Sequence, residues 1–455
     1  DGTVHGGHDT TVHTVTLTVT PVNDAPAITG ETDPAGVAEL PDAHAQSLGP
    51  ITGTLSASDR DIGDVLTGHV AGSATVSYSG GALPSGVDID AMRDAAAISF
   101  DSATTTISGG VNTLTWTYHP TAANLDWLAA GETLTITYLA EITDGTASVG
   151  SQPLTITVTG TNDAPAIVAA QTAGTLTQDV AVDAQGQLHA GGSFDFADLD
   201  WSDTHSVSAM LLSTTASGGA ALGTMSALID TDIANGLGGE AAWSYHVDNS
   251  AVQFLPAGES VVETYRVTVR DGHGGTVSRD VSVTIAGTND APVITTAQAT
   301  GAVTEDAAVD VHGRLQASGA LGFDDVDLTD MHAVSVVLVS STNTGGVALG
   351  AMNSQLIADT IHGAGGEVTW TYEVDNSSVQ FLRAGQTVTE IYAVTVGDGH
   401  GGLTTQNLTV TVTGTGAALA GISVSDIAKL DAIGVTGLDA TNDVLVLSVD
   451  QAQAY

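Results

Sequence analysis

Three acidic loops recur in this sequence with a single spacing: Asp59-x-Asp61-x-x-Asp64, Asp198-x-Asp200-x-x-Asp203 and Asp325-x-Asp327-x-x-Asp330. The first Asp of each stands 35 residues after the Asp of an Asn-Asp pair, namely Asn23-Asp24, Asn162-Asp163 and Asn289-Asp290 (59 − 24, 198 − 163, 325 − 290). A further acid lies 15 residues after the pair in two copies, Glu39 and Glu305 (39 − 24, 305 − 290); the middle copy has Gln178 there, with Asp179 beside it. An Asp-Gly closes each copy, at Asp144, Asp271 and Asp398. Clustered carboxylates repel one another unless a cation sits among them. Hard divalent cations take six to eight oxygens from carboxylates, amide side chains and backbone carbonyls. Alternate side chains of an Asp-x-Asp loop converge on one point, and the Asn-Asp pair adds an amide oxygen and a carboxylate. The set lacks the nitrogen and sulfur donors that zinc or copper prefer. These residues therefore predict bound calcium. Solvated turns are the competing reading, since Asp is common in turns; three copies at one offset weigh against it. His205 and His332 follow two of the acidic loops, and His273 and His400 lie in Asp-Gly-His-Gly-Gly; these read as turn or loop residues.

The elements that must position these acids follow from the Asn-Asp stretches. Each comes after a run of alternating apolar and threonine residues, such as Leu154-Thr155-Ile156-Thr157-Val158-Thr159. Alternation at period two is the strand signal. Pro26, Pro165 and Pro292 then stop the ladder, having no N–H to give. So the stretch reads as the end of one β-domain, an acidic hinge and the start of the next. Asn162 and Asn289 stand 127 apart (289 − 162), as do Trp243 and Trp370 (370 − 243). The first copy is longer, 139 residues from Asn23 to Asn162 (162 − 23). A period of this size means a string of whole domains, which divides the chain at 23–161, 162–288 and 289–415. The second and third units should match strand for strand, and the first should carry an insertion between 70 and 125, with a short helix over 90–97. Short alternating strands broken by Gly and Asp turns predict an all-β chain of immunoglobulin-like or cadherin-like sandwiches. Trp243, Tyr245, Trp370 and Tyr372 read as core residues. Residues 1–22, with the alternating run 11–20, read as the last strands of a preceding repeat, in need of a sheet edge to pair with. The hinge pattern is worn at Gly414-Thr415-Gly416-Ala417, which has lost Asn, Asp and Pro. Beyond it, 416–455 reads as the start of a different module, a helix over 426–433 and a strand over 444–449.

Composition narrows the function. Across 455 residues the formal charge is −44, from 52 acids against 8 bases, yet 42 % of residues are hydrophobic. Such a surface repels nucleic acid and anionic membrane, while the apolar fraction is too high for a disordered acidic tail. Divalent metal relieves the self-repulsion; adaptation to high salt accounts for the same charge and is compatible with it. With no cysteine there are no disulfides, thiolate zinc sites or cysteine nucleophiles. No run approaches the ~20 apolar residues of a membrane span. Neither His-Glu-x-x-His nor a phosphate-binding Gly-x-x-x-x-Gly-Lys occurs. The paired carboxylates that a glycosidase needs recur here in every unit, whereas a catalytic cleft is built once. The chain therefore reads as non-enzymatic.

The Thr-x-x-Gly-Thr-Asn-Asp-Ala-Pro ending, the Asp-x-Asp-x-x-Asp-x-His loop and the Asp-Gly-x-Gly turn resemble those of the VCBS repeat and bacterial cadherin-like modules found in the stalks of large RTX-type surface adhesins. The resemblance covers about 23 to 415. It implies tandem sandwich domains, type I secretion, an extracellular or cell-surface location, and calcium at or near the domain junctions. The glycine-rich calcium nonapeptides of RTX toxins are absent. The leading expectation is a calcium-stiffened stalk segment of a secreted bacterial adhesin serving attachment or biofilm, with calcium, neighbouring repeats or copies of the chain, and surface glycans or matrix as partners. A self-assembling surface filament or layer completed by strand addition, and a carbohydrate-binding module of a larger secreted protein, are the alternatives.

Overall fold

The computed structural model describes residues 11–41, 48–101, 104–105, 110–121, 124–234, 236–360 and 364–415. In the second unit one sheet runs, in spatial order, Ala166–Ala170, Gln187–Ala197, Gly239–Asp248 and Thr224–Thr231. The other runs Ala173–Thr177, Thr276–Ala286, Ser260–Arg270 and Ser206–Thr214. Pairing is antiparallel except that Ala173–Thr177 lies parallel to Thr276–Ala286. The third unit repeats this arrangement with the bounds of all eight strands displaced by 127, from Val293–Ala297 to Leu403–Thr413.

The alternation in the sequence is the alternation of burial. Along Ser260–Arg270 the inward side chains are Val261, Glu263, Tyr265, Val267 and Val269, while Val262, Thr264 and Thr268 are only partly covered. Apolar burial on one face of each sheet drives the two sheets together. Trp243 and Trp370 fill the centres of their sandwiches and donate their indole N–H to Gln171 O and Gln298 O, both at 2.9 Å.

In the first unit the sheets are Ala27–Thr32, Ile51–Ser58, Asn112–Tyr118, Ile98–Phe100, and Val37–Ala38, Ser148–Thr159, Thr133–Thr143, Val65–Val70, Thr104–Thr105, with Thr75–Tyr78 also on Thr133–Thr143. The extra length holds the helix Asp90–Arg93 and the 3₁₀ turn Ala95–Ala97, where the sequence places its short helix. This insertion has a polar task. Tyr118 and Tyr138 both donate to Met92 O at 2.9 Å, and Tyr138 also to Asp94 O at 2.7 Å. The matching tyrosines of the second unit, Tyr245 and Tyr265, instead donate to the buried Glu263 at 3.0 and 2.9 Å. Ile136 stands where Glu263 does. One device supplies backbone carbonyls, the other a carboxylate, to the same hydroxyl pair.

The run 11–20 departs from expectation. Residues 11–26 carry no strand, and Val12, Val15, Leu17 and Val19 are exposed. An alternating segment forms a strand only where a sheet edge receives it, and among the described residues none does. The helix and strand expected over 426–433 and 444–449 lie outside the described residues.

Candidate metal centres

In each unit the hinge is sewn to the acidic loop by the same bonds. In the second, Asp163 N–H donates to Asp200 Oδ2 at 2.8 Å, Asp200 N–H to Asp198 Oδ1 at 3.0 Å, and Asn162 Nδ2 to Asp271 Oδ2 at 3.0 Å. The third repeats them through Asp290–Asp327, Asp327–Asp325 and Asn289–Asp398 at 2.8, 3.0 and 2.9 Å. The first does so through Asp24–Asp61, Asp61–Asp59 and Asn23–Asp144 at 2.7, 3.0 and 3.0 Å. The Asn amide is oriented by this bond, which turns its Oδ1 away from every donor: Asn162 Oδ1 and Asn289 Oδ1 are buried with no hydrogen-bond partner.

Two kinds of acidic cluster result. A loop site lies inside each unit: Asp59, Asp64 and Asp144; Asp198, Asp203 and Asp271; and Asp330, Asp398 and His400, with ligand atoms within 4.8 Å of one another in each set. A bridging site joins the first unit to the second, where Glu39 and Asp126 meet the hinge residue Asp163 at the same spacing. The three acids of each loop were expected to converge on one point, and in the second unit they do not. Asp198 and Asp203 turn to Asp271, while Asp200 turns to the hinge and its charge acts on Glu39 across the junction. The cause is the tight turn: Asp198 caps Asp200 N–H, and Asp203 N–H returns to Asp200 O at 3.3 Å, so the middle side chain leaves on the other side.

The carboxylates crowd one another, and the counter-charges beside the loop acids are imidazoles: His205 on Asp198, His273 on Asp203 and His400 on Asp330. Burial, then the charges of Asp163, Asp200 and Asp126, push Glu39 up to about 8 against the N–H of Thr161. Burial also pushes Asp200 up to about 8, with Asp203, Asp163 and Asp198 adding to it, and Asp327 up to about 6. Burial raises Asp271 too, but the Asn162 amide and the N–H groups of His273, Gly274 and Gly275 outweigh it and hold it low. That carboxylate sits in a cradle fitted to it. A Cβ at Gly275 would stand 2.0 Å from Asp271 Oδ2 and 2.9 Å from Ala164 Cα. Gly275→Ala is therefore expected to displace Asp271 and weaken calcium binding at the second unit's loop site. The sites of the first and third units, titrated in the same chain, should be unchanged; equal affinity at all three would refute the cradle.

The donors fit a hard divalent cation. Apart from the imidazole of His400 they are carboxylate and amide oxygens, and several are buried with no donor to satisfy them: Asp200 Oδ1, Asp203 Oδ1, Asp327 Oδ1 and Asp330 Oδ2 as well as the two Asn oxygens. Buried polar atoms are satisfied in folded proteins with few exceptions, and six such oxygens facing acidic loops call for a cation. Elsewhere the predicted residues are placed differently. Glu305 is fully buried, accepts Thr415 N–H at 2.8 Å and leaves Oε1 unpartnered. Asp179 is exposed and held by amides, from Asn249 at 2.6 Å and Gln253 at 3.0 Å.

Three features escape a reading of the sequence. Asp126 has no acidic counterpart, because Gln253 and Gln380 stand at its place 127 and 254 residues on (253 − 126, 380 − 126). His205 and His332 are interior residues rather than turn residues. Each fully buried imidazole bridges two carboxylates, Asp198 and Asp232 at 3.0 and 2.7 Å, and Asp325 and Asp359 at 3.0 and 2.6 Å. Burial alone would lower their basicity, but the two carboxylates raise it. In the first unit the buried Leu66 holds that place. The matched 127-residue offset of Asp232 and Asp359 was the available signal. Last, Trp201, inside the second acidic loop, packs against the first unit's core and lines with Val87 and Trp127 a cavity between the units.

No family profile matches the sequence, and no curated protein matches it. Solved structures similar to the chain include protocadherin gamma B2 extracellular cadherin domains 3–6 (12 % identity, 86 % of this chain, 79 % of that one, TM-score 0.29). They also include the protocadherin gammaB7 EC3–6 cis-dimer (13 %, 86 %, 74 %, TM-score 0.37) and Drosophila N-cadherin EC1–4 (13 %, 86 %, 76 %, TM-score 0.26). These overlays are loose; the assignment of the chain as all-β with tandem cadherin-like sandwiches stands on its own sheets. No helix among the described residues is long and apolar enough to cross a membrane.

Proposed function

We propose that the chain is a calcium-stiffened segment of an extracellular adhesive stalk, of the kind that bacterial surface adhesins carry, with domains at about 23–161, 162–288 and 289–415. The observation that carries this is the joining of Glu39 and Asp126, from one unit, to Asp163 of the hinge and the loop of the next. A cation there ties two sandwiches together and restricts their relative motion. The loop sites fasten each hinge to the unit that follows, with Asn23, Asp24, Asn162, Asp163, Asn289 and Asp290 as the hinge-side ligands. Attachment or biofilm is the setting this reading assigns. The direct test is small-angle scattering and calorimetry with and without chelator.

The charge state of the bridging site gives this reading a pH signature. Glu39 and Asp200 lie near 8 in the metal-free chain, above the ordinary carboxylate range. The folded state then holds protons that the unfolded state has lost, so metal-free stability falls as pH rises from about 4 toward 8. Calcium needs the ionised forms. Its apparent affinity should rise from pH 6 to 8 and level off above, with proton release visible as a dependence of the binding heat on the buffer's ionisation enthalpy. Binding that is indifferent to pH over this interval would place the ion elsewhere.

A further inference from the structure

The two junctions between units are built from the same backbone but differ in which side chains can meet an anion. At the first, Glu39 is 2 % exposed; its Oε2 accepts Thr161 N–H at 3.3 Å and it faces Asp163. At the second the corresponding residue is Gln178, 139 residues on (178 − 39) and fully buried. Its Oε1 accepts Thr288 N–H at 3.5 Å, and its Nε2 donates to Asp290 Oδ2 at 2.7 Å. An amide carries both an acceptor and donors, whereas an ionised carboxylate only accepts. So the same position, when ionised, repels the hinge Asp at one junction and binds it as an amide at the other.

The neighbouring position changes in the same sense. Asp126 of the bridging cluster is replaced by Gln253, whose Nε2 turns to Asp179 Oδ1 at 3.0 Å and Asn249 O at 3.3 Å. Thr329 Oγ1 of the third unit adds a direct bond to Glu259 Oε1 of the second at 3.3 Å. At the second junction the places of Glu39, Asp126 and Asp163 are taken by Gln178, Gln253 and Asp290, and the further carboxylates whose charges act on Asp290 are Asp179 and Asp325. The buried Asp200 Oδ1 at the first junction has no hydrogen-bond partner, and neither has its counterpart Asp327 Oδ1 at the second, so the contrast lies in the side chains at 39 and 126 against those at 178 and 253.

We propose that Gln178 and Gln253 stand in for a metal at the second junction, so that an ion bridges units one and two while units two and three are fastened by amide hydrogen bonds without one. This rests on the calcium reading and adds that the stalk alternates a metal-dependent joint with a metal-independent one. The loop site of the third unit does not remove the contrast, since Asp330, Asp398 and His400 all belong to that unit.

The test uses the full chain, whose lack of cysteine permits clean labelling. Spin labels at Ser77→Cys with Ser213→Cys span the first junction, and at Ser213→Cys with Ser340→Cys the second; all three serines are exposed. Chelation should broaden the first distance distribution and leave the second narrow. Calcium titration should lose one site in Glu39→Gln, an isosteric change whose product already sits at 178, and gain one in Gln178→Glu/Gln253→Asp. That double variant should also make the second distance calcium-dependent. If the native chain binds calcium but both distances respond alike, or the two variants leave the number of sites unchanged, the amide substitution is wrong while the calcium reading stands. If the native chain binds no calcium at all, both fall together.

Discussion

Removing calcium from the full chain at fixed high sodium chloride should lower its melting temperature and increase the spread of its scattering-derived dimensions. Extracellular calcium modules have dissociation constants of roughly 10⁻⁴ to 10⁻³ M. At free calcium about 100 times that value, one independent site adds about 2.7 kcal/mol to the native state. Against a domain total of roughly 5–15 kcal/mol this is a large share, and it corresponds to about 5–20 °C in melting temperature for units of this size. Repulsion among the crowded carboxylates acts in the same direction. Magnesium should restore less, because it demands tighter octahedral geometry and dehydrates reluctantly. Constant salt separates specific binding from screening. Asp200→Ala should reproduce the chelator effect at the second unit, since it removes both an orphaned oxygen and the acceptor of Asp163 N–H. Asp327→Ala, which removes the acceptor of Asp290 N–H at the metal-independent joint, should destabilise the third unit without reproducing that effect, while the first unit's loop site stays intact as an internal control. If melting and dimensions are both indifferent to chelation, the acids are solvated turns and the stalk reading fails.

How far the sequence exposed all this depends on whether a feature repeats. Alternation in 260–270 and 387–397 reported inward and outward faces directly, because a strand has only two. The hinge and the acidic loops were legible because three copies share one offset, which local turn chemistry alone does not produce. The division of labour inside a loop was not. Whether Asp200 joins Asp198 or turns to the neighbouring unit depends on the capped turn and the hinge N–H, which no spacing rule encodes. Asp126 was hidden for the opposite reason. It lies in the one unit where the position is acidic, so nothing recurs to mark it. The imidazoles were misjudged through their setting. In sequence His205 follows a polar loop, yet in space Phe196 lies 4.9 Å from it, ring to ring, and Asp198 and Asp232 close it in.

Glu263 shows how a residue that violates the strand pattern becomes informative once its partners are known. It stands at an inward position between Val261 and Tyr265, fully buried, where the first unit has Ile136. Replacing it with isoleucine removes the desolvation cost of a carboxylate, which by itself favours the variant. The partners decide against it. Tyr245 OH and Leu222 N–H lose their acceptor, while Tyr265 OH keeps Gly223 O at 3.2 Å. Two buried donors left unsatisfied cost about 2–6 kcal/mol together. Glu263→Ile is therefore expected to destabilise the second unit by an amount in that range. The triple variant with Tyr245→Phe and Tyr265→Phe should recover part of it, because it removes the Tyr245 hydroxyl left without an acceptor but leaves Leu222 N–H unpaired. A chain of several domains does not unfold in two states, so the measurement is native-state hydrogen exchange. Protection in Ser260–Arg270 should fall in the single variant and return in part in the triple, with the matching strand Thr387–Gly397, whose Glu390 still accepts from Tyr392 at 2.9 Å, unchanged throughout. Unaltered protection in the single variant would mean that the carboxylate and hydroxyls contribute nothing net. A triple variant weaker than the single would mean that the hydroxyls find other acceptors. In the first unit Ile136 is tolerated because Met92 O and Asp94 O take the same two hydroxyls, so the helical insertion and the buried glutamate are alternative answers to one polar requirement.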